Sequence, residues 1–360
     1  MRNLHVANPG QDRSHASGTN GTSDQKRILV GLGDAELDTF FPAGLPGDDE
    51  RLCWKVLDTK HLDDDSWVEA LREFEPEILL SGWSTPKLTE EIIDSPWFKV
   101  KYCCHLTGSV RNTLPARAFE KGMLVTNWGR LASTPVAEHA LLLTLACLRR
   151  LPSWKTVMKL PLDEFIKERA DLHTRTLIGK RVGLHGFGFV AREIVRLLKP
   201  FEVEISSYSA GVPTEFFREH DVEPADSIEE LFANNEVIIE CEALTPETQG
   251  SVGAELLDLL QPKSVFVNVG RGAVVDEDAL VKRIQRGDIR VGLDVYSEEP
   301  LPLDSQLHSL KDVLLSPHIA GPTEDVRPRC GLFALENISR YLRDEPLKSQ
   351  VDLVAYLRST

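Results

Sequence analysis

Three side chains of complementary chemistry follow apolar runs in the last third of the chain. Arg271 lies in Asn268-Val269-Gly270-Arg271-Gly272, Glu299 in Asp294-Val295-Tyr296-Ser297-Glu298-Glu299-Pro300, and His318 in Ser316-Pro317-His318-Ile319-Ala320-Gly321. A guanidinium can grip a carboxylate through two parallel hydrogen bonds. An imidazole titrates near neutrality and can trade a proton with a carbonyl oxygen, the more readily when a carboxylate keeps it charged. Brought together, the three would serve hydride transfer at a substrate bearing a carboxylate, and that chemistry requires no metal. Each residue also has a plainer reading: a surface arginine in a Gly-Arg-Gly turn, an acid before a loop proline, a histidine ending a strand. The chemical reading rests on their occurring together.

Hydride transfer needs a nucleotide cofactor, and Gly186-Phe187-Gly188-Phe189-Val190-Ala191 has the form of its cradle. This GxGxxA loop follows the apolar run Val182 to Leu184 and opens a helical pattern through Arg192, Glu193, Val195 and Leu197. The first two glycines permit a tight turn and a close approach of pyrophosphate to backbone amides at a helix N-terminus; the third small residue lets helix and strand pack. About 20 residues on, where an acid ordinarily bonds the adenosine ribose hydroxyls, the chain has Tyr208-Ser209. Serine can still bond a ribose hydroxyl and would not repel a 2′-phosphate, yet Ala210-Gly211-Val212-Pro213 supplies no arginine to hold one. The cofactor is therefore NAD or NADP, with a slight lean to NAD or dual use.

The elements that must position these groups read as alternating strands and helices. Strand-like runs at Ile28 to Leu32, Glu77 to Trp83, Val100 to Cys104 and Leu124 to Asn127 make a first small parallel sheet. Six more, at Gly179 to His185, Val203 to Tyr208, Val237 to Cys241, Ser264 to Asn268, Arg290 to Asp294 and Val313 to Leu315, match a doubly wound nucleotide-binding sheet. An apolar helix from Pro135 to Arg150 joins the two arrays, and a helix from Glu324 to Leu342 follows the second. Residues 1–26, rich in Ser, Asn, Gly, Asp and His, are expected to be a disordered tail.

Composition excludes several other classes. The 360 residues, 42% hydrophobic, suffice for two domains with real cores and a cleft between them. The 41 basic and 56 acidic side chains leave a charge of −15, the wrong sign for gripping nucleic acid. The most apolar stretch, Ala140 to Leu148, falls far short of the ~20 residues of a membrane span, and the N-terminus has no apolar signal region. A soluble cytoplasmic protein is expected. The six cysteines show no CxxC pair and no metal-ligand spacing, and read as buried reduced thiols; Cys103 and Cys104 would face opposite ways on a strand. No metal site is expected.

With these motifs in this order, and with Val136-Ala137-Glu138-His139 and Leu244-Thr245-Pro246-Glu247-Thr248 beside them, the chain resembles the D-2-hydroxyacid dehydrogenase family from about Arg27 to Leu347. The resemblance implies two Rossmann-like domains: a dinucleotide-binding domain over residues 127–321, inserted into a flavodoxin-like substrate domain over 27–126 and 322–360. It implies a homodimer built through the nucleotide domains, and a small 2-oxo or D-2-hydroxy acid as substrate. By the same resemblance Arg271 binds the substrate carboxylate, His318 is general acid and base, and Glu299 holds and charges it. Asp294 bonds the nicotinamide carboxamide. Gly186, Phe187, Gly188, Phe189, Val190, Ser209, Ala243, Leu244, Thr245, Val269, Gly270, Ala320 and Gly321 line the cofactor, and backbone amides near Thr107 and Gly108 face the substrate carboxylate.

Some positions depart from the family pattern or stay open. In Leu106-Thr107-Gly108-Ser109-Val110-Arg111-Asn112, Val110 and Arg111 stand where the family often has aspartate and asparagine, and Ala243 replaces a common proline. Arg111 is either a second pocket cation or a solvated surface arginine. Trp83, His105 and Trp128 either wall the pocket or pack in a core. Glu138-His139 opens an apolar helix and is read as structural or interdomain rather than catalytic; Asp276, Glu277 and Asp278 are read as first-turn acids of a helix. Formate-oxidising relatives usually carry glutamine at the position of Glu299, which argues against formate. Phosphite-oxidising relatives share the Arg, Glu and His, and nucleotide-sensing corepressors share much of the site; both stay as alternatives.

Overall fold

The computed structural model describes residues 25–47 and 50–358. The expected tail lies outside the described residues up to position 24, and Lys26, assigned to it, instead opens the first strand. The chain divides into two compact units, one of residues up to Leu131 together with Glu324 onward, the other Ala132–Thr323. The expected divisions were 126/127 and 321/322. Asn127 to Leu131 stay with the first unit because Asn127 Nδ2 donates to the Gly108 carbonyl (2.8 Å) and Trp128 meets Trp83 edge-on, ring centroids 6.0 Å apart.

The first unit holds β1 (Lys26–Gly31), β2 (Leu52–Leu57), β3 (Ile78–Ser81), β4 (Tyr102–His105) and β5 (Leu124–Thr126) in the order β2-β1-β3-β4-β5. All pairings are parallel, and the order is that of the flavodoxin-like fold. β2 escaped the sequence reading because, as a half-exposed edge strand, it lacks the continuous apolar run of a central one. Ile28, Val30 and Leu80 pack on one face with Phe40, Cys330, Ala334 and Ile338; Leu29, Leu79 and Cys103 pack on the other with Trp67, Leu71 and Leu88. Cys103 and Cys104 thus belong to different cores, as alternation along β4 requires.

The second unit holds β6 (Arg181–His185), β7 (Glu204–Tyr208), β8 (Glu223–Pro224), β9 (Val237–Glu240), β10 (Val265–Asn268), β11 (Arg290–Leu293) and β12 (Val313–Leu315). Their order is β12-β11-β10-β9-β6-β7-β8, parallel throughout. Seven strands replace the six expected; β8 is two residues long, ends in proline and sits on the edge, so no periodicity announces it. One face packs Val182, Leu184, Ile239, Val265 and Val267 against the helices Ser133–Leu148 and Phe189–Leu198. The other packs Ile238, Phe266 and Val291 against Phe232, Leu257 and Leu280. Each such fully buried aliphatic side chain contributes about 1.5–3 kcal/mol. The chain runs outward from β6 through β7 and β8, then crosses over to β9, so the sheet's switch point opens between the C-terminal ends of β6 and β9, where ligands of such sheets bind.

Candidate active site

The glycine loop leaves β6 at that switch point. Gly186 adopts φ +96° and lies against the backbone of Glu242, which follows β9; a Cβ at Gly186 would come within 2.6 Å of the Glu242 Cα. Only glycine allows that approach. Gly188 caps the helix Phe189–Leu198 with no side-chain bond of its own, and a Cβ there would meet nothing within 4 Å. An open cradle at a helix N-terminus fits a pyrophosphate, whose oxygens can take backbone N–H groups and the positive end of the helix dipole.

The flanking side chains divide sharply. Phe187 is buried, its ring 4.6 Å from that of Phe217, and so can offer a ligand only backbone atoms. Phe189 is exposed beneath the Arg192 guanidinium, 4.6 Å above its ring, while Val190 packs on the core. Ser209 Oγ donates to Glu242 Oε2 (2.6 Å). Ala243, Leu244 and Thr245 form a turn tied by Thr248, whose hydroxyl accepts from the Thr245 N–H (2.7 Å) and donates to the Ala243 carbonyl (2.6 Å). Beneath the loop, His185 Nδ1 lies 2.5 Å from Glu240 Oε2, both buried. Burial opposes the charge on His185, but Glu240 and Glu242 raise its pKa above the ordinary value.

Arg271, Glu299 and His318 are brought together in this same unit. Gly272 lies so close to the Tyr296 carbonyl that any Cβ would overlap it, which seats the Arg271 turn on the segment carrying Glu299. Asn268 braces that turn, accepting from the Gly270 N–H (3.0 Å) and donating to the Arg271 carbonyl (3.2 Å); Val269 donates its N–H to the Glu240 carbonyl (3.1 Å). Glu299 Oε1 accepts from the Tyr296 N–H (3.1 Å), and Oε2 lies 2.5 Å from His318 Nδ1. The carboxylate is thereby fixed at both ends, and among the described residues nothing bonds His318 Nε2. Arg271 is partly buried and donates from Nη1 to the Gly270 carbonyl (2.8 Å). Burial pulls its guanidinium below the ordinary range, and the charge of Glu299 opposes that shift. A guanidinium and a carboxylate-held imidazole within electrostatic reach can bind an anionic group and exchange a proton beside it. Glu299, His318, Tyr296, Pro300, Leu301 and Leu315 line an open groove.

Asp294 is buried, and its carboxylate is already engaged within the protein. Oδ1 accepts from Ser316 Oγ (2.6 Å) and the Ile319 N–H (3.0 Å), and Oδ2 from the Ala320 N–H (2.9 Å). His139 Nε2 lies 2.8 Å from Ser316 Oγ and 3.3 Å from Asp294 Oδ1. Burial alone would raise the Asp294 pKa; the bonds from His139, Ser316, Ala320 and Ile319 outweigh it and hold the group below the ordinary carboxylate value. These bonds fasten the backbone just past His318, itself in the left-handed region at φ 50°. His139 therefore serves this network, while its neighbour Glu138 is exposed. Ser316 and Tyr296, whose hydroxyl donates to the Ser316 carbonyl (2.8 Å), complete the support; nothing in their spacing marked them.

In the first unit the expected residues part company. Thr107 is buried, its hydroxyl 2.6 Å from His105 Nε2, and Gly108 lies under the Trp128 indole. Among the described residues nothing accepts from the Thr107 and Gly108 N–H groups. His105 is core rather than pocket wall: it is buried, its Nδ1 is 2.9 Å from Ser81 Oγ, and burial pulls its pKa down to about 4. Trp83 is 57% exposed, with its ring 5.6 Å from that of Phe40. Arg111 is half-buried and engaged by backbone carbonyls. Its Nε and Nη2 donate to the carbonyls of Tyr356 (3.1 Å) and Leu357 (2.6 Å), at the end of the helix Leu353–Arg358, where unpaired carbonyls and the helix dipole favour a cation.

Known proteins share this sequence and fold. The profile of the D-isomer specific 2-hydroxyacid dehydrogenase, NAD binding domain, matches residues 141–320. A D-3-phosphoglycerate dehydrogenase of Methanocaldococcus jannaschii is 31% identical over 287 residues, 79% of this chain and 53% of its own, so the chain spans about half of that relative's length. A glyoxylate reductase of Pyrococcus furiosus is 31% identical over 234 residues, 63% of this chain and 68% of its own. The apo structure of Rhodotorula graminis D-mandelate dehydrogenase shares the fold, with a TM-score of 0.76 at 21% identity over 91% of this chain and 97% of that one. The chain belongs to the D-isomer specific 2-hydroxyacid dehydrogenase family.

Proposed function

We propose that this protein interconverts a small 2-oxo acid and the corresponding D-2-hydroxy acid, with Arg271, Glu299 and His318 as its catalytic residues. The observation that carries the reading is the Glu299–His318 pair at 2.5 Å, with Arg271 within reach of the same carboxylate, in the unit that bears the glycine cradle. The nicotinamide, when bound, supplies or accepts the hydride. Arg271 holds the substrate carboxylate and sets positive potential beside the carbonyl oxygen, where negative charge develops. His318 gives that oxygen a proton from Nε2 in reduction and takes it back in oxidation. Glu299, held by the Tyr296 N–H, keeps Nδ1 occupied and Nε2 directed at the substrate. Asp294 holds the His318 backbone in place through Ile319 and Ala320.

The protein works as a homodimer. The helices Leu151–Val157 and Leu162–Asp171 expose Trp154, Leu162 and Ile166, with Met158 exposed between them, and the second helix buries no residue of its own. An apolar patch of that kind suits a second copy. A cytoplasmic setting agrees with six free thiols, four of them buried; among the described residues no helix is long and apolar enough to cross a membrane.

Glyoxylate is the first substrate to try, since relatives from Pyrococcus furiosus and Thermococcus litoralis are named for its reduction. Oxidation of NADH and of NADPH with glyoxylate, hydroxypyruvate, pyruvate and phenylpyruvate tests the reading. Turnover of at least one acid, lost in His318→Ala, is expected. Tight dinucleotide binding without turnover of any of them would replace the enzyme with a nucleotide sensor.

A further inference from the structure

We infer that Glu242 confines this site to a dinucleotide with a free ribose 2′-hydroxyl, a carboxylate from the end of β9 doing what an acid at the end of β7 ordinarily does. The inference rests on the dinucleotide reading of the glycine loop. In sheets of this kind the acid that bonds the adenosine ribose stands about 20 residues beyond the loop, and here that place is Ser209. Ser209 is not alone there. Its hydroxyl donates to Glu242 Oε2 at 2.6 Å across a sequence separation of 33 residues, while Oε1 accepts the Ala243 N–H at 2.9 Å. Gly186 is pressed onto the Glu242 backbone, so loop, serine and carboxylate form one cluster at the switch point.

The cluster keeps a net negative charge: the one buried imidazole, His185, faces both Glu240 and Glu242, and among the described residues no basic side chain bonds Glu242. Glu240 is matched by the buried His185 at 2.5 Å and accepts the Glu242 N–H on its other oxygen (2.8 Å). Arg192, on the helix that follows the loop, stacks on Phe189 and Phe216 and donates to the Gly188 carbonyl (3.1 Å). Each Glu242 oxygen keeps a second lone pair for a ribose hydroxyl. A 2′-phosphate, which brings about two negative charges and no proton to donate, meets repulsion instead. Discrimination thus combines an attraction for one dinucleotide with a repulsion of the other.

Titration of the whole protein with NADH and NADPH, followed by calorimetry, reads this without turnover. Wild type is expected to bind NADH at least a hundredfold tighter. Glu242→Gln, which keeps size and acceptor but not charge, narrows that ratio at least tenfold, chiefly by tightening NADPH. Glu242→Ala narrows it too and weakens NADH, and retained NADH binding shows that both variants are folded. Equal affinities in the wild type, or an unchanged ratio in Glu242→Gln, would overturn the inference while leaving the dinucleotide site intact. Binding of neither cofactor by the wild type would remove the dinucleotide reading and this inference with it.

Discussion

The Ala320 N–H donates to Asp294 Oδ2 at 2.9 Å, two residues past the proposed acid-base histidine. With the Ile319 N–H on Oδ1, this gives one buried carboxylate control of the backbone that presents His318 at a positive φ. A non-glycine residue in that region costs on the order of 1–3 kcal/mol unless its surroundings hold it. Asp294→Ala strands buried donors and is expected to cost about 2–4 kcal/mol of stability. Its kcat is expected to fall about a hundredfold while the NADH Kd changes less than about threefold, because positioning is lost rather than cofactor contact. A rise in NADH Kd that matches the fall in kcat would show instead that Asp294 acts mainly on the carboxamide, as the family resemblance implies.

Glu299→Gln keeps an oxygen for the Tyr296 N–H and an amide near His318 Nδ1, but removes the carboxylate charge beside the ring. A loss of about 10²–10³ in kcat/KM is expected, with an unchanged fold by circular dichroism. Arg271→Lys keeps the charge but not the bidentate fork, and is expected to raise the substrate KM tenfold or more while leaving NADH binding near wild type. If either variant retained wild-type kcat/KM, the proposed role of that residue would fail.

The motifs that proved legible were those in which local geometry demands a residue type. Gly186 and Gly272 are each pressed onto a neighbouring backbone, and the strand that ends before each was readable from its apolar run. Edge strands escaped, since β2 is half exposed and β8 is two residues long. Contacts that depend on the crossover also escaped. Glu242 meets Ser209 only because β9 and β7 flank β6, and Ser316 meets His139 across 177 residues. The place of Arg111 stayed open because its partners are carbonyls, which carry no sequence signature.

The role of Arg111 has a direct check. An arginine that caps the helix Leu353–Arg358 and lies over the Tyr356 ring, 5.4 Å from its centroid, supports the fold of the first unit rather than the binding of an anion. Arg111→Ala is expected to leave every substrate KM within about twofold of wild type. Stability should drop by about 1–2 kcal/mol in chemical denaturation, with earlier proteolysis at the C-terminus. A large rise in KM for dianionic acids alone would restore the pocket reading.

Burial of His105 makes the first unit sensitive to acid. The ring bonds Ser81 and Thr107 while neutral, and its pKa falls from about 6.5 to about 4 in the folded chain. Below pH ~6.5 the unfolded chain takes up a proton that the folded one refuses, so stability falls with pH across that window and this loss is complete near pH 4. The lowered value corresponds to a loss on the order of 3 kcal/mol. Denaturation of the wild type between pH 7 and 4.5 should show the decline, and His105→Asn should flatten it; equal slopes in the two proteins would contradict the buried neutral imidazole.

The exposed apolar helices of the second unit give the last expectation. Met158 and Leu162 are 73% and 71% exposed, and Leu162–Asp171 buries none of its ten residues, so this segment is poorly held by its own unit. A second copy covering it would remove both side chains from water, worth about 1.5–3 kcal/mol each. The wild type is therefore expected to sediment as a dimer. Met158→Glu combined with Leu162→Glu places two carboxylates, and by symmetry their two copies, in an apolar contact where burying charge is costly. The double variant should sediment as a monomer at micromolar concentration while still binding NADH, since neither residue touches the glycine cradle. Persistence of the dimer would move the interface to another face of the protein.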